Sequence, residues 1–427
     1  MLLIKDGYVI DPRSGLEGQR DILIEDGKIL RIGKRTEWEE LTGVSETQVY
    51  DARGLIVAPG LIDVHVHFRD PGFTYKEDII TGGKSAAKGG FTTVILMANT
   101  KPVVDNAETL SYVLEKGKET GIRVESCCAI TKGLQGKELT DMSELMEAGA
   151  AGFTDDGIPL LEEEIVLEAM RRAAELGAVL SFHEENPAYI ENNGINAGKA
   201  SAHYGIGGSH RKAEIDMVQR DIRLAEQMGA VINIQHISSK EAVELVREAK
   251  KKGMTVYAEA TPHHFSLNED AAICHGTLAK MNPPLREEAD RLAVIRGLQD
   301  GTIDLIATDH APHSKEEKDK SITEAPSGIV GLETALALGV TNLVKPGHLT
   351  MMELLEKMTW NPAKLYGLDR GYLEEGGLAD LVLFDPERTE VITEFVSKSA
   401  NSPFLGAELA GVIKCTICDG KIVYQKD

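Results

Sequence analysis

The sequence predicts an α/β protein, a parallel (β/α)8 TIM barrel with a small β-sandwich domain built from both chain termini. Between about residues 58 and 365, short apolar segments alternate with amphipathic segments, the pattern of parallel strands joined by helices. Near both ends, β-branched-rich segments are broken by Asp-Gly pairs, which favour antiparallel hairpins. The predicted divisions are residues 1–57 and 366–427 for the two parts of the sandwich and 58–365 for the barrel.

Eight apolar segments are the candidate barrel strands, each of a length suited to a buried parallel strand. They are, in chain order, LIDVHVH, FTTVILMA, RVESCCAI, AAGFTDD, AVLSFHEE, VINIQHIS, TVYAEATP and IDLIATDH. Amphipathic segments lie between most of them, and both EEEIVLEAMRRAAELG and SKEAVELVREAKKKG end near a glycine, a common helix C-terminus. In such barrels the functional groups lie at the C-terminal ends of the strands.

Composition and charge narrow the classes of function. With 427 residues, 42% of them hydrophobic, the chain is long enough for a large barrel with a substantial core. A formal charge of −22 argues against a nucleic-acid partner, because phosphate binding needs clustered Lys and Arg. No apolar run reaches the roughly 18 to 20 residues of a membrane span. Since MLLIKDGYVIDP also lacks a signal-peptide pattern, we expect a cytoplasmic protein without a membrane partner.

The cysteines point to a reducing compartment. There are five of them, without the spacing of a disulfide framework. Cys415 and Cys418 form a C-x-x-C, but a second such pair is missing from the sequence. Two partly buried strand residues are therefore favoured over a zinc site.

Polar residues end five of the candidate strands. His65 and His67 lie one residue apart, and because strand side chains alternate with period two, both imidazoles point the same way. A single histidine or aspartate at such a place is ordinarily a hydrogen-bonded core residue or a helix cap. The carboxyl ends of parallel strands, however, meet at one mouth. The other residues expected there are Asp155, Asp156, His183, His236 and Asp309.

Imidazoles and carboxylates together are typical ligands of Zn²⁺, which leaves an open position for water in catalytic sites. Four histidines and two carboxylates exceed the needs of one tetrahedral ion. Two ions that share a bridging carboxylate would use them all. The sequence therefore predicts a metal centre at the mouth of the barrel.

The motifs that carry these residues resemble those of a known family. H-x-H on the first strand, a bridging group on the fourth, histidines on the fifth and sixth and aspartate on the eighth resemble the amidohydrolase superfamily. Within it the chain is similar, essentially from end to end, to class I dihydroorotases. The matching segments are DVHVHFRDPG, MANT, GFTDDG, NIQHIS, MNPPLR, ATDHAPH and GIVGLETA.

The resemblance implies two zinc ions per subunit. Many superfamily members bridge the two ions with a carboxylated lysine on the fourth strand, but AGAAGFTDDG contains no lysine. The motif alignment instead implies Asp156 as the bridge, with Asp155 as the alternative and a turn-stabilising role as the other reading of Asp155. One ion would be held by His65, His67 and Asp156, and the other by Asp156, His183 and His236.

The resemblance also implies an activity in de novo pyrimidine (UMP) biosynthesis. It is the reversible, zinc-dependent cyclisation of N-carbamoyl-L-aspartate to L-dihydroorotate plus water. In the ring-opening direction, hydroxide generated at the metal pair attacks the ring carbonyl. Asp309 would act as general base and then as general acid toward the ring nitrogen, and it could also touch one ion.

The carboxylate of the substrate calls for a cation, and Arg69, two residues past His67 on the same strand face, can grip it bidentately. The other reading of Arg69 is a surface ion pair with Asp70 or Asp78. Residues that resemble further substrate contacts of the family are His67, Asn99, Asn282, His313, Ser327 and Gly328. Ala98 stands where the family usually has proline and Ser327 where it has phenylalanine, which bears on affinity more than on the reaction.

Two rival functions stay open at the level of sequence. One is another cyclic amidohydrolase, an allantoinase or hydantoinase, against which the missing lysine speaks. The other is an inactive homologue that scaffolds aspartate transcarbamoylase, although such a protein should have lost ligands. A homodimer and an association with aspartate transcarbamoylase follow only by analogy with the family.

Overall fold

The strands of the protein form two separate eight-stranded sheets. They are defined in a computed structural model that describes residues 1–34 and 48–426. Numbered β1 to β16 in chain order, the strands of the first sheet come from the two ends of the chain. They are β1 (Leu2–Asp11), β2 (Leu16–Glu25), β3 (Lys28–Gly33), β4 (Gln48–Asp51), β5 (Ile56–Pro59), β14 (Leu381–Val391), β15 (Glu408–Cys418) and β16 (Lys421–Gln425).

This terminal sheet confirms that both ends of the chain build one β module. Its order is β16-β15-β14-β5-β1-β2-β3, and β4 also pairs with β1. The join between the two ends is the antiparallel pairing of β14 with β5, in which Leu381 lies opposite Pro59. The domain boundaries at 57/58 and 365/366 stay predictions, and β5 crosses the first of them.

The second sheet is the predicted barrel, with all eight strands parallel and in sequential order. Its strands are β6 (Leu61–Val66), β7 (Phe91–Leu96), β8 (Arg123–Cys128), β9 (Gly152–Phe153), β10 (Leu180–Phe182), β11 (Ile232–Ile234), β12 (Val256–Ala260) and β13 (Leu305–Ile306). Each lies inside one of the eight candidate segments. Several are only two or three residues long, so the polar residues at the mouth, apart from His65 in β6, follow the strands rather than lie in them.

The helices lie between the barrel strands and after them. They are α1 (Ile79–Lys88), α2 (Ala107–Gly117), α3 (Met142–Glu147), α4 (Glu163–Leu176), α5 (Lys199–Tyr204), α6 (Lys212–Met228), α7 (Lys240–Lys251), α8 (Pro262–Ser266), α9 (Asp270–His275), α10 (Glu288–Gln299), α11 (Lys315–Lys318), α12 (Ala335–Gly339), α13 (Met351–Met358) and α14 (Trp360–Leu365). In α4, Gly177 ends the helix with φ of 66°, a left-handed conformation that glycine adopts without strain. No helix in the described ranges is long and apolar enough to cross a membrane.

The barrel closes between its first and last strands through a few specific contacts. Val66 forms a parallel bridge with His310, and the His67 N–H donates to the His310 carbonyl at 2.9 Å. The buried Asp63 carboxylate accepts the Thr308 N–H at 3.1 Å and the His65 N–H at 3.1 Å. Asp63 therefore connects the segment that carries His65 and His67 to the segment that carries Asp309.

We expect Asp63→Ala to lower the free energy of unfolding by about 2–4 kcal/mol, because it leaves two buried N–H groups without an acceptor. Urea denaturation followed by circular dichroism measures the change. Asp319→Ala is the control, since Asp319 forms an exposed ion pair with Lys315 and should contribute less than about 1 kcal/mol. Equal losses in the two variants would contradict a role of Asp63 in closing the barrel.

Candidate metal centre

Four imidazoles from three strands converge at the mouth of the barrel, and all four side chains are buried. His65 lies in β6, and His67 follows that strand directly. His183 follows β10, and His236 follows β11 by two residues, with φ of 32° that turns the backbone out of the strand direction. The four histidines therefore lie close together because each stands at or just beyond the C-terminal end of a parallel barrel strand.

The carboxylate of Asp156 lies at the centre of these imidazoles. Its Oδ1 is 3.4 Å from His65 Nε2, 3.6 Å from His183 Nδ1 and 3.9 Å from His236 Nε2. Its Oδ2 is 3.4 Å from His67 Nε2. The two oxygens thus face different histidines, which is the arrangement that a bridging carboxylate requires.

The second carboxylate of the centre is Asp309. Its Oδ1 lies 3.0 Å from His67 Nε2 and 3.5 Å from His65 Nε2. Two sets of residues could each hold a metal ion, His65–Asp156–His236 and His65–His67–Asp309. Within each set, the candidate ligand atoms lie within 4.8 Å of one another. Because one imidazole nitrogen binds a single ion, only one of the two sets can use His65.

The outward nitrogens of three histidines are fixed by acceptors. His65 Nδ1 lies 3.1 Å from Glu259 Oε2, and His183 Nε2 lies 3.2 Å from Glu185 Oε2. An ionised carboxylate only accepts hydrogen bonds, so these ring nitrogens carry the proton. The opposite nitrogens, His65 Nε2 and His183 Nδ1, face the centre, where His183 Nδ1 lies 2.9 Å from His236 Nε2. This is the orientation that carboxylate–histidine pairs give to metal ligands.

His67 is oriented in the same way by an amide. Its Nδ1 donates to Asn99 Oδ1 at 2.9 Å, and Asn99 Nδ2 donates to Asp156 Oδ2 at 3.0 Å. Asn99 thus holds both an imidazole and the central carboxylate. The His65 Nε2 atom is buried without a hydrogen-bond partner among the described residues. An inward imidazole nitrogen without a partner, beside two carboxylates, fits a divalent metal ion of the zinc type.

The electrostatics of the centre favour a cation. Burial alone would raise the pKa of Asp156, but the imidazoles, His65 foremost, hold that pKa well below its ordinary value. Burial opposes a charge on His65, yet Asp156 and Asp309 raise the pKa of His65 well above its ordinary value. Burial, with His183 and His65 alongside, lowers the pKa of His236 well below its ordinary value, which keeps it neutral as a ligand must be.

Asp155, the alternative bridge, points elsewhere. Its Oδ1 accepts the backbone N–H groups of Ile130 and Thr131 at 2.7 and 3.0 Å, and its Oδ2 accepts the Thr131 hydroxyl. Asp155 therefore stabilises the segment after β8. Of the two neighbouring aspartates, only Asp156 is among the imidazoles.

A cavity of about 390 Å³ opens onto the metal centre. Its walls combine the acidic and imidazole groups with cationic and amide side chains, as a polar substrate requires. The sequence-predicted residues that line it are His67, Arg69, Asn99, Asp156, His183, His236, Asn282, Asp309, His313, Ser327 and Gly328. His65 lies behind this lining with no exposed surface.

Arg69 reaches the cavity from a loop, so its placement on the strand face of His67 was wrong. The strand β6 ends at Val66, and Arg69 has φ of 59°, which redirects the chain. Its Nε donates to the Pro312 carbonyl at 3.2 Å. Asp70 pairs with Lys116 instead, at 2.6 Å.

Asp78, the other possible surface partner of Arg69, forms an ion pair with Lys398. Within the described residues, the Arg69 guanidinium has no carboxylate partner within 4 Å. The interpretation of Arg69 as a surface ion pair is therefore wrong.

Two of the remaining predicted substrate contacts, His313 and Ser327, already have protein partners. His313 Nε2 donates to the Ser327 carbonyl at 2.8 Å, and burial with Arg69 and Lys76 nearby lowers the pKa of His313 far below its ordinary value. The Ser327 hydroxyl donates to Asn193 Oδ1 at 2.6 Å. The Asn282 Oδ1 atom is buried without a partner in the described part of the chain.

Sequence reasoning missed the groups that orient the ligands. Glu259 and Glu185 lie in segments that were read only as strands, and nothing local distinguishes them from other strand carboxylates. Lys280, directly before MNPPLR, also lines the cavity. His264 bonds through both ring nitrogens, to Thr261 and to the Pro283 carbonyl.

The Cys415–Cys418 pair is not a metal site. Both thiols are buried in β15 and free, and residues three apart in a strand point to opposite faces. Cys418 Sγ donates to the Thr92 carbonyl at 3.7 Å. The interpretation as strand residues is confirmed, with deeper burial than expected.

Comparison with known proteins agrees with this geometry. The profile of the amidohydrolase family matches residues 56–423, which is most of the chain. The chain belongs to the amidohydrolase family. Its fold is also that of L-hydantoinase (dihydropyrimidinase) from Arthrobacter aurescens, with a TM-score of 0.86 and 27% identity over 100% of this chain and 96% of that one. D-hydantoinase (dihydropyrimidinase) from Thermus sp. matches with a TM-score of 0.83 and 27% identity over 99% and 95%.

Full-length relatives narrow the family to dihydroorotases. The chain is 57% identical to the dihydroorotase of Clostridioides difficile over 425 residues, covering 100% of both chains. It is 53% identical to that of Clostridium acetobutylicum over 427 residues, again covering 100% of both, and 51% identical to that of Lactococcus lactis, covering 99% of each. These matches confirm the resemblance to dihydroorotases that the motifs carry.

We expect Asp156→Asn to retain about half or less of the zinc bound by the unchanged protein, because a neutral amide cannot bridge two cations. Metal content is measured by elemental analysis after zinc loading and gel filtration. Asp155→Asn is the matched control and should keep its zinc while melting at a lower temperature. The opposite ranking of zinc content would remove Asp156 from the centre.

Proposed function

We propose that the chain catalyses the reversible cyclisation of N-carbamoyl-L-aspartate to L-dihydroorotate and water, with two zinc ions bridged by Asp156. The observation that carries the proposal is the convergence of four inward-facing imidazole nitrogens on Asp156, with Asp309 beside them, in a chain related to dihydroorotases over its full length. The reaction would serve the de novo synthesis of pyrimidines.

The ligand assignment follows the two faces of Asp156. His65 and His67 would hold one ion together with Asp156, and His183 and His236 would hold the other. This partition is supported by Asp156 Oδ2, which faces His67, and by Oδ1, which faces His183 and His236 as well as His65. When bound there, zinc supplies Lewis-acid chemistry that lowers the pKa of water to about 7 and polarises a carbonyl.

Asp309 would move the proton of the reaction. In ring opening, its carboxylate accepts a proton from the attacking water and returns it to the ring nitrogen as the C–N bond breaks. Its position supports this role, because Asp309 lines the cavity while its Oδ1 stays 3.0 Å from His67 Nε2. Asp309 therefore faces both the metal centre and the space that a substrate would fill.

Arg69 would bind the carboxylate of the substrate that does not react. Its side chain is half-buried, and burial lowers the pKa of Arg69, so a charge there is costly until an anion arrives. Asn99, His313, Asn282 and the backbone at Ser327 and Gly328 would shape the rest of the site. Because Asn99 and His313 are already hydrogen-bonded, their part would be to hold the cavity in shape as well as to contact substrate.

A hydantoinase or allantoinase activity is less well supported. The hydantoinases with the same fold are 27% identical to this chain, whereas the dihydroorotases reach 57%. The segment AGAAGFTDDG also has an aspartate at the centre and no lysine. An inactive scaffold is disfavoured because every proposed ligand is in place.

The surroundings of the enzyme are a further part of the proposal. All five cysteines are free, which suits the reducing cytoplasm. A homodimer and an association with aspartate transcarbamoylase are carried over from the family resemblance. Gel filtration coupled to light scattering, with and without the transcarbamoylase, would test both.

We expect the zinc-loaded enzyme to turn over L-dihydroorotate with a kcat/KM at least roughly a hundredfold above that for hydantoin or allantoin. The reason is that only L-dihydroorotate offers a carboxylate to Arg69. Absorbance assays of ring opening measure all three reactions in parallel. Faster opening of hydantoin or allantoin would overturn the assignment, and absence of turnover in either direction would favour the scaffold.

We expect Asp309→Asn to lower kcat by about 10²- to 10⁴-fold, because an amide cannot accept and return the proton. The measurement is steady-state kinetics with zinc content determined on the same samples. A loss of kcat with unchanged zinc supports proton transfer by Asp309. Full activity in this variant would exclude Asp309 from the reaction.

A further inference from the structure

One wall of the cavity is fixed by side chains along its whole length. We call residues 325–328 the carbonyl wall, because each of its four carbonyl oxygens accepts a side-chain hydrogen bond. Three of the donors are cationic or imidazole groups, and the fourth is an amide. The bonds are Lys280 Nζ to Ala325 O at 2.7 Å, Lys318 Nζ to Pro326 O at 2.8 Å and to Gly328 O at 3.1 Å, His313 Nε2 to Ser327 O at 2.8 Å, and Asn401 Nδ2 to Gly328 O at 3.0 Å.

Two of these donors are buried ammonium groups. Lys280 and Lys318 are only 4% and 3% exposed. Among the residues with described positions, neither has a carboxylate within ion-pair distance, and the hydrogen-bond acceptors of both are carbonyl oxygens. Most other lysines of the chain that make polar contacts pair with Asp or Glu, as Lys76 does with Glu317 at 2.9 Å.

A buried cation without a counter-ion lowers the stability of the fold, so its presence suggests a functional role. Burial, with Lys280 alongside, lowers the pKa of Lys318 to about 7, and burial also lowers the pKa of Lys280. Arg69, whose Nη2 lies 3.4 Å from His313 Nε2, is half-buried, and burial lowers its pKa as well. This end of the cavity therefore carries several cationic groups, while the carboxylates of Asp156 and Asp309 lie at the metal end.

The orientation of the wall leaves a donor for an anion. A peptide unit holds its carbonyl and the next N–H in opposite directions. Since Lys318 binds the Pro326 carbonyl, the Ser327 N–H points away from Lys318. In the described part of the chain no protein acceptor is found for the Ser327 N–H, whereas the Gly328 N–H donates to the Lys280 carbonyl at 2.9 Å.

We propose that Lys280 and Lys318 are positioning residues, which fix the carbonyl wall from behind and make this end of the cavity cationic for the substrate carboxylate that does not react. The inference rests on the proposed function and deepens it. Both lysines act through the wall, and direct contact with the reacting atoms is not required of them. Neutralising either lysine should weaken the binding of a carboxylate ligand more than it slows the chemical step.

The test compares Lys318→Met, Lys318→Arg and Lys280→Met with Lys320→Met, a control at an exposed lysine two residues away. KM and kcat for L-dihydroorotate are measured in the zinc-loaded enzymes, together with zinc content, melting temperature and the inhibition constant of orotate. Orotate probes carboxylate binding without turnover.

We expect Lys318→Met and Lys280→Met each to raise KM and the orotate inhibition constant by roughly tenfold, with kcat within about twofold, the signature of lost uniform binding. Lys318→Arg should restore most of the affinity because a guanidinium keeps the charge and the donors. Lys320→Met should match the unchanged enzyme.

An unchanged KM in both methionine variants, or a fall in kcat at constant KM, would overturn the assignment. So would an equal effect of Lys320→Met. If Lys318→Met does not fold, Lys280→Met decides the question by the same criteria. Failure of the unchanged enzyme to turn over dihydroorotate would instead count against the proposed function, so the two failures are distinguishable.

Discussion

The buried negative charge of Asp156 is the constraint on which the rest of the mouth depends. A buried carboxylate is tolerated only among groups that compensate it, and here four imidazoles from three strands surround it. These imidazoles must present lone pairs rather than protons to serve as ligands. Their outward nitrogens therefore need acceptors, and the barrel supplies one each to His65, His67 and His183, while His236 Nδ1 has no partner among the described residues.

That requirement explains polar groups that a packed barrel would otherwise exclude. Glu259 in β12 holds His65 and accepts from Asn233 Nδ2 in β11 at 2.6 Å. Asn233 donates in turn to Ser181 Oγ at 3.2 Å, and Ser181 lies 2.9 Å from the Tyr366 hydroxyl after α14. A chain of hydrogen bonds thus runs from the metal centre through the barrel and links these polar side chains.

The barrel could be predicted from the sequence because its signals are local. Each strand is a short apolar run, and His65, His183 and His236 stand where such a run stops. The supporting contacts could not be predicted in this way. Glu259 looks like any other strand residue in the sequence. Its role depends on its hydrogen bond with His65, which lies 194 residues earlier in the chain. Arg69 was misplaced because a left-handed backbone conformation has no signature at an arginine.

The carbonyl wall has a consequence for how molecules enter and leave. A segment tied at four successive oxygens to Lys280, Lys318, His313 and Asn401 resists swinging as a hinged flap. Substrate and product then pass an entrance of constant width. Water is excluded from the cavity by the bound ligand rather than by closure of a loop. Substitutions around the cavity entrance could then change the turnover rate of such an enzyme without a new mobile loop.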